Sequence, residues 1–179
     1  MFSCRLATVD DSPGLTALME RSIRGLIGAY LDAARVDASF EIMGIDTSLI
    51  ADRTYYVVEE GRRIVGCGGW SRRATLFGGD HSSGRDARRL DPRTEPARIR
   101  AMYTDPDHAR RGIGRLVLSR CEEAAAEEGF QSLELVATVA GEPLYLASGF
   151  TIVERIDVPT SAGVTIPCAR MVKRLPMSS

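Results

Sequence analysis

Between Ala97 and Gly129 a strand pattern ends in a turn and hands over to a helix that opens on glycines; no other stretch of the chain constrains the fold as much. Ala97 to Thr104 alternates as a strand does, and Asp105-Pro106 turns the chain. Ile113, Leu116, Val117, Cys121, Ala124 and Ala125 recur on one helical face, which Gly129 ends. The first amides of a helix have no carbonyl partner and carry a partial positive charge, which suits a phosphate. Gly112 and Gly114 let a bulky anion approach the backbone, and Arg110, Arg111 and Arg115 add positive charge. The residues alone support an anion-binding helix start. The competing reading is a helix that uses glycine for close packing, with solvated arginines. A P-loop is excluded because no G-K-[ST] follows, and a dinucleotide fingerprint because no third glycine stands at the required spacing after Gly114.

Around this junction the other elements follow in order. Ser3 to Thr8 reads as a strand. Ser12 followed by Pro13 reads as a side-chain cap and a helix start, continued by Leu15, Leu18, Met19, Ser22, Leu26 and Ile27 at helical spacing. Asp32 to Ala51 is a second helical region, broken near Gly44. Thr54 to Glu59 and Ile64 to Trp70 form a hairpin through Glu60-Gly61-Arg62. Arg72 to Pro96 is polar and turn-rich, a long loop of the kind that is usually functional or disordered. Gln131 to Val139 is a strand, and Pro143 to Ser148 a short helix stopped by Gly149. Phe150 to Val158 and Val164 to Val172 make a final antiparallel pair. This order predicts an α/β (α+β) domain with a mixed sheet, one domain over residues 1–179.

Composition narrows the function classes. A net charge of −1 does not suggest a polyanion, so no nucleic-acid partner is expected. No apolar run approaches the roughly 18 residues that span a bilayer. Met1 to Asp10 lacks a basic segment followed by an apolar one, so a cytoplasmic protein is expected. Cys4, Cys67, Cys121 and Cys168 form no C-x-x-C pair, and no metal is expected. Cys67 and Cys121 fall at core positions.

Two segments resemble the GCN5-related N-acetyltransferases (GNATs). Arg111-Gly112-Ile113-Gly114-Arg115 is similar to the heart of that family's Q/R-x-x-G-x-G/A loop, whose amides hold the coenzyme A pyrophosphate, and Thr104-Asp105-Pro106 looks like its V-x-P turn. Downstream, Leu144-Tyr145-Leu146-Ala147-Ser148-Gly149-Phe150 looks like its Y-x-x-x-G-F signature. The likeness is close from Ala97 to Phe150 and elsewhere rests on element order. It implies a GNAT-like fold: a central mixed, mostly antiparallel sheet of six or seven strands flanked by about four helices. It implies acetyl-CoA as donor and an amine of a small molecule or peptide as acceptor. The implied coenzyme site is Met102, Tyr103, Thr104, Ala109, Arg110, Arg111, Gly112, Ile113, Gly114, Arg115 and Thr138, with Tyr145 as the acid that protonates the leaving thiolate. A homodimer is also expected, since such proteins often pair and the final hairpin offers apolar strand edges.

Three positions depart from the pattern. Ala109 stands where the loop usually has glutamine or arginine, and Thr138 where many members have asparagine. The residue fourteen before Gly112 is Arg98, where many members carry a glutamate base. Glu95, Glu41, Asp46 and His81 are the candidates left, beside a water chain or an acceptor that arrives neutral. Glu134 is expected to partner an arginine, Trp70 to pack in the core, and His108 to be solvated. Arg72, Arg73, Arg88 and Arg89 are either solvated or face the acceptor. These departures keep open a non-catalytic acyl-CoA-binding domain as a second reading. A different phosphate-ligand protein is a third.

Overall fold

The computed structural model describes residues 1–177. The strands are β1 (Ser3–Leu6), β2 (Tyr55–Glu60), β3 (Arg63–Ser71), β4 (Ala97–Thr104), β5 (Ser132–Thr138), β6 (Thr151–Pro159) and β7 (Thr165–Arg174). The helices are α1 (Ser12–Leu26), α2 (Ala33–Ser39), α3 (Thr47–Ala51), α4 (Ile113–Glu127) and α5 (Glu142–Ala147). All seven strands join one sheet in the order β1-β2-β3-β4-β5-β7-β6. Every pairing is antiparallel except β4 with β5, the pair joined by the crossover through α4. The helix count exceeds the expected four because the Asp32 to Ala51 region folds as two short helices, each started by an aspartate. Asp32 caps α2 by accepting from the Arg35 amide, and Asp46 caps α3 by accepting from the Ser48 amide.

Each sheet face buries its own core. On one side α4 lays Ile113, Val117, Leu118, Cys121 and Ala125 against Val58, Val65, Ile99, Leu133 and Leu135. Trp70 lies in this core, 2% exposed. On the other side α1 packs Leu15, Leu18, Met19 and Ile23 against Tyr55, Val57, Cys67 and Tyr103. Gly66 lets α4 come this close, because a Cβ there would stand 2.2 Å from Ile113 Cγ2. Glu134 pairs with Arg170 at 3.2 Å and with Arg98 at 3.5 Å, as a structural partner should.

Two local expectations change. Ser12 makes no capping hydrogen bond. The Asp11 carboxylate instead accepts from the Thr8 amide at 2.7 Å, closing the turn before α1, and Pro13 keeps its place in the first turn. His108 is not solvated but 9% exposed, because its Nε2 meets Glu60 Oε2 at 2.9 Å.

The feature that shapes the sheet is a bulge in β4. Ala101 takes φ +52, a left-handed value rare for a residue with a side chain, and the β3–β4 register shifts between Cys67 and Gly69. The Tyr55 hydroxyl, buried beneath β4, donates to the Ala101 carbonyl at 2.7 Å. Tyr55→Phe is expected to lower stability by about 1 kcal/mol, because it removes this hydrogen bond and leaves the carbonyl only the long, weak contact from Cys67 Sγ at 4.0 Å. Urea denaturation should show the loss as a lower midpoint at unchanged slope.

Candidate active site

The parallel pair β4–β5 is joined at only two positions, Ala97 with Leu133 and Arg98 with Glu134. Past them comes the bulge, and the strands no longer pair. A cavity of about 750 Å³ opens there, bordered by Ile99 to Thr104 on β4 and Leu135 to Thr138 on β5. The start of α4 and Tyr145 of α5 complete that end of its wall.

At the helix start the chain turns through two left-handed residues, Arg110 at φ +62 and Gly112 at φ +84. Glycine at 112 makes the second of these unstrained, and a Cβ there would meet nothing within 4 Å. The first backbone hydrogen bond of α4 runs from the Leu116 amide to the Gly112 carbonyl at 3.0 Å. The amides from Gly112 to Arg115 therefore remain free for a ligand. Arg110 and Arg115 line the same cavity, so donors and positive charge coincide, and this combination fits a diphosphate.

Eleven of the twelve residues predicted for the site line this cavity: Met102, Tyr103, Thr104, Ala109, Arg110, Gly112, Ile113, Gly114, Arg115, Thr138 and Tyr145. Arg111 does not. Its guanidinium reaches Glu60 at 3.1 Å and lies over the Phe2 ring at 4.8 Å, which turns it from the cavity to the sheet edge. Tyr145 is 7% exposed and packs edge-on to Phe150 at 5.7 Å. Among the described residues its hydroxyl has no hydrogen-bond partner, and it is not among the fully buried unpartnered atoms, so it opens into the cavity. Burial, with smaller contributions from Cys121 and Tyr103, pushes the phenol above its ordinary value and keeps its proton on. The Tyr103 phenol is engaged: its Oη accepts from the Gly44 amide at 3.2 Å.

None of the four base candidates lines the cavity. Glu95 is held by Arg88 at 3.0 Å and Glu41 by the Ser161 amide at 2.9 Å. His81 Nε2 sits 2.6 Å from the Phe40 carbonyl. Asp46 is 1% exposed between Arg85 and Arg100, each at 2.9 Å. Arg98 itself is spent on Glu134. The loop arginines are also committed elsewhere: Arg72 pairs with Glu128, Arg73 with Asp52 and Arg88 with Glu95, while Arg89 bridges to Arg73 through the backbone. Among the described residues no cluster of His, Cys, Asp or Glu could hold a metal ion.

Sequence reasoning missed Tyr55, Ala101 and the Arg85–Asp46–Arg100 group. Tyr55 reads as an ordinary strand tyrosine. An alanine forced to positive φ leaves no trace in composition. Asp46 reads as a loop acid, and only the folded loop carries Arg85 back to it.

A family model described as acetyltransferase (GNAT) domain matches residues 51–152. The chain belongs to the GNAT acetyltransferase family. It is thus an acyltransferase that takes its acetyl group from acetyl-CoA. No curated protein sequence matches it. A GCN5-related N-acetyltransferase (aminotransferase, class II) from Rhodopseudomonas palustris superposes with a TM-score of 0.70 at 17% identity, over 97% of this chain and 95% of that one. PaiA N-acetyltransferase from Thermoplasma acidophilum, solved in complex with coenzyme A, gives 0.64 at 13% identity over 97% and 99%. The ribosomal-protein-S18-alanine N-acetyltransferase from Escherichia coli gives 0.61 at 17% identity over 100% and 97%. At these identities the likeness establishes the fold, a seven-stranded GNAT sheet.

The turn that leads from β4 to the start of α4 in this GNAT is anchored by Asp105. Burial alone would raise its carboxyl. The Asp107 amide at 2.9 Å, Arg21 at 3.1 Å and Arg63 at 2.7 Å outweigh burial and hold it below the ordinary 3.8. A depressed folded value means that the stabilisation is complete above pH 3.8 and is lost as pH falls through the lower folded value. Asp105→Asn should therefore cost about 1–3 kcal/mol at pH 7, and the gap to the unaltered protein should close in acid. Urea titrations at pH 7 and near pH 3 check both.

Proposed function

We propose that this GNAT acetylates an amine by direct attack on the thioester, with Tyr145 as the general acid. The observation that carries the reading is the pairing of free α4 amides with an unpartnered phenol in one cavity. The amides of Gly112 to Arg115, with Arg110 and Arg115, would hold the pyrophosphate. The diverging strands β4 and β5 would guide the pantetheine arm, with Thr138 on the β5 side. A backbone N–H near Met102 and Tyr103 would donate to the carbonyl oxygen as negative charge develops on it.

The amine nitrogen bonds to the acetyl carbon as the carbon–sulfur bond breaks. The departing thiolate takes the Tyr145 proton, and the proton shed by the new amide nitrogen passes to water and restores the phenol. The raised affinity of Tyr145 for its proton keeps the phenol in its protonated, donor form at neutral pH. The acceptor amine belongs to a small molecule or a peptide.

Tyr145→Phe keeps the ring and its contact with Phe150, so the fold should persist. Turnover should fall about a hundredfold or more, while acetyl-CoA affinity changes little. Stopped-assay thiol release and calorimetry separate the two, and unchanged turnover removes the role. The edge strand β6 leaves Val153 46% exposed, which supports pairing with a second copy. Sedimentation velocity should then find a dimer, and a monomer at all concentrations would refute it.

A further inference from the structure

The cavity has two ends of opposite chemistry. Its α4 end offers free amides and two arginines. Its other end is walled by Ile27, Tyr30, Ile42, Met43, Leu76 and Phe77, contributed by the end of α1, the chain after α2 and the long loop. Among the described residues no aspartate, glutamate or histidine lines the cavity. The titratable groups that do line it are Tyr30 in the chain after α1, Arg100 and Tyr103 on β4, Arg110 and Arg115 at the helix start, Tyr145 on α5 and Cys168 on β7. Burial pushes the Tyr103 and Tyr145 phenols up and the Cys168 thiol up to about 12, so none of these three supplies an anion or a base near neutrality. Arg100 is bound by Asp46, the Gly78 carbonyl and the Thr75 carbonyl. Asp46 is shared with Arg85, beside which Asp80 also lies, so the carboxylates behind this end are already matched by guanidinium groups and neither lines the cavity. An ammonium ion entering this end would lose its hydration and gain no counter-charge.

We propose that the acceptor is a weakly basic amine on an apolar body, bound in its neutral form, and that alkylammonium ions and polycations are rejected. The proposal rests on the acetyl-transfer reading above and deepens it. Lacking a carboxylate to take the proton, the protein leaves deprotonation to bulk water, and the acceptor's own basicity sets its rate. An α-amino group, with an ordinary pKa of about 7.7–8.0, is roughly one-third neutral at about pH 7.5. A lysine-type amine, at about 10.4, is neutral to about one part in a thousand. Ionisation alone therefore separates the two by roughly two hundredfold. Arylamines and the α-amino groups of apolar amino-acid amides share the required chemistry.

The test measures thiol release from acetyl-CoA by the full chain with four acceptors: 4-methylaniline, phenylalaninamide, 2-phenylethylamine and spermidine. One or both of the first two should be acetylated, and which of them reports the source of the chemistry. Phenylethylamine should be at least about a hundredfold slower at neutral pH, with kcat/KM rising about tenfold per pH unit towards its own pKa. Spermidine should give no release above background. Equal rates for spermidine or phenylethylamine, or a pH-independent rate for the latter, would overturn the proposal while leaving acetyl transfer intact. So would failure of both weak amines when calorimetry shows acetyl-CoA bound. Absence of acetyl-CoA binding would instead bring down the underlying reading of the site.

Discussion

The hydrogen bond from the Tyr55 hydroxyl to the Ala101 carbonyl braces the bend at which the central strands β4 and β5 part. A strand that pairs regularly on both sides offers no room for a ligand arm. β4 pairs with β3 on one side and begins to pair with β5 on the other, then takes an extra residue at Ala101 and bends. A left-handed alanine costs on the order of 1 kcal/mol or more and persists only where its surroundings hold it. Tyr55 does so from within the α1 side of the core, where Val57, Cys67 and Tyr103 pack around it.

From that bend the rest of the site follows. The strands diverge, the crossover through α4 places free amides at one end of the gap, and α5 places a phenol beside it. The two cores keep these parts in register. The α4 core clamps the helix to β3 at the Gly66 contact, and the α1 core fixes β2 beneath the bulge. Asp105 ties the turn before α4 to α1 through Arg21 and to β3 through Arg63. Glu60 adds a further contact by holding both His108 and Arg111.

The electrostatic character of the cavity comes from what is withheld from it as much as from what lines it. Each carboxylate near enough to be considered a base is already bound to an arginine, a backbone amide or both. A chain with 23 basic and 24 acidic residues has enough of both signs to do this nearly everywhere. The result is a pocket with arginines at one end, apolar walls at the other and the unpartnered Tyr145 phenol beside the helix start.

The sequence by itself determined the element order, the glycine-opened helix start and the position of Tyr145, because each depends on local chemistry. Free amides arise at any helix N-terminus, Gly112 alone tolerates its φ without strain, and apolar periodicity places α4 against a sheet. It also showed that the customary acidic position holds Arg98. Only the tertiary structure decided which charges survive in the site. Arg111 looks equivalent to Arg110 in the chain, yet Glu60, fifty-one residues away, removes it from the cavity. Asp46 and His81 looked available until the folded loop brought Arg85 and the Phe40 carbonyl to them. The bulge at Ala101 was likewise invisible, since the atom that stabilises it lies on a different strand. Local propensity is written within a few residues, whereas pairing of buried polar groups is a property of distant segments brought together. That is the physical reason the scaffold could be read along the chain and the charge state of the pocket could not.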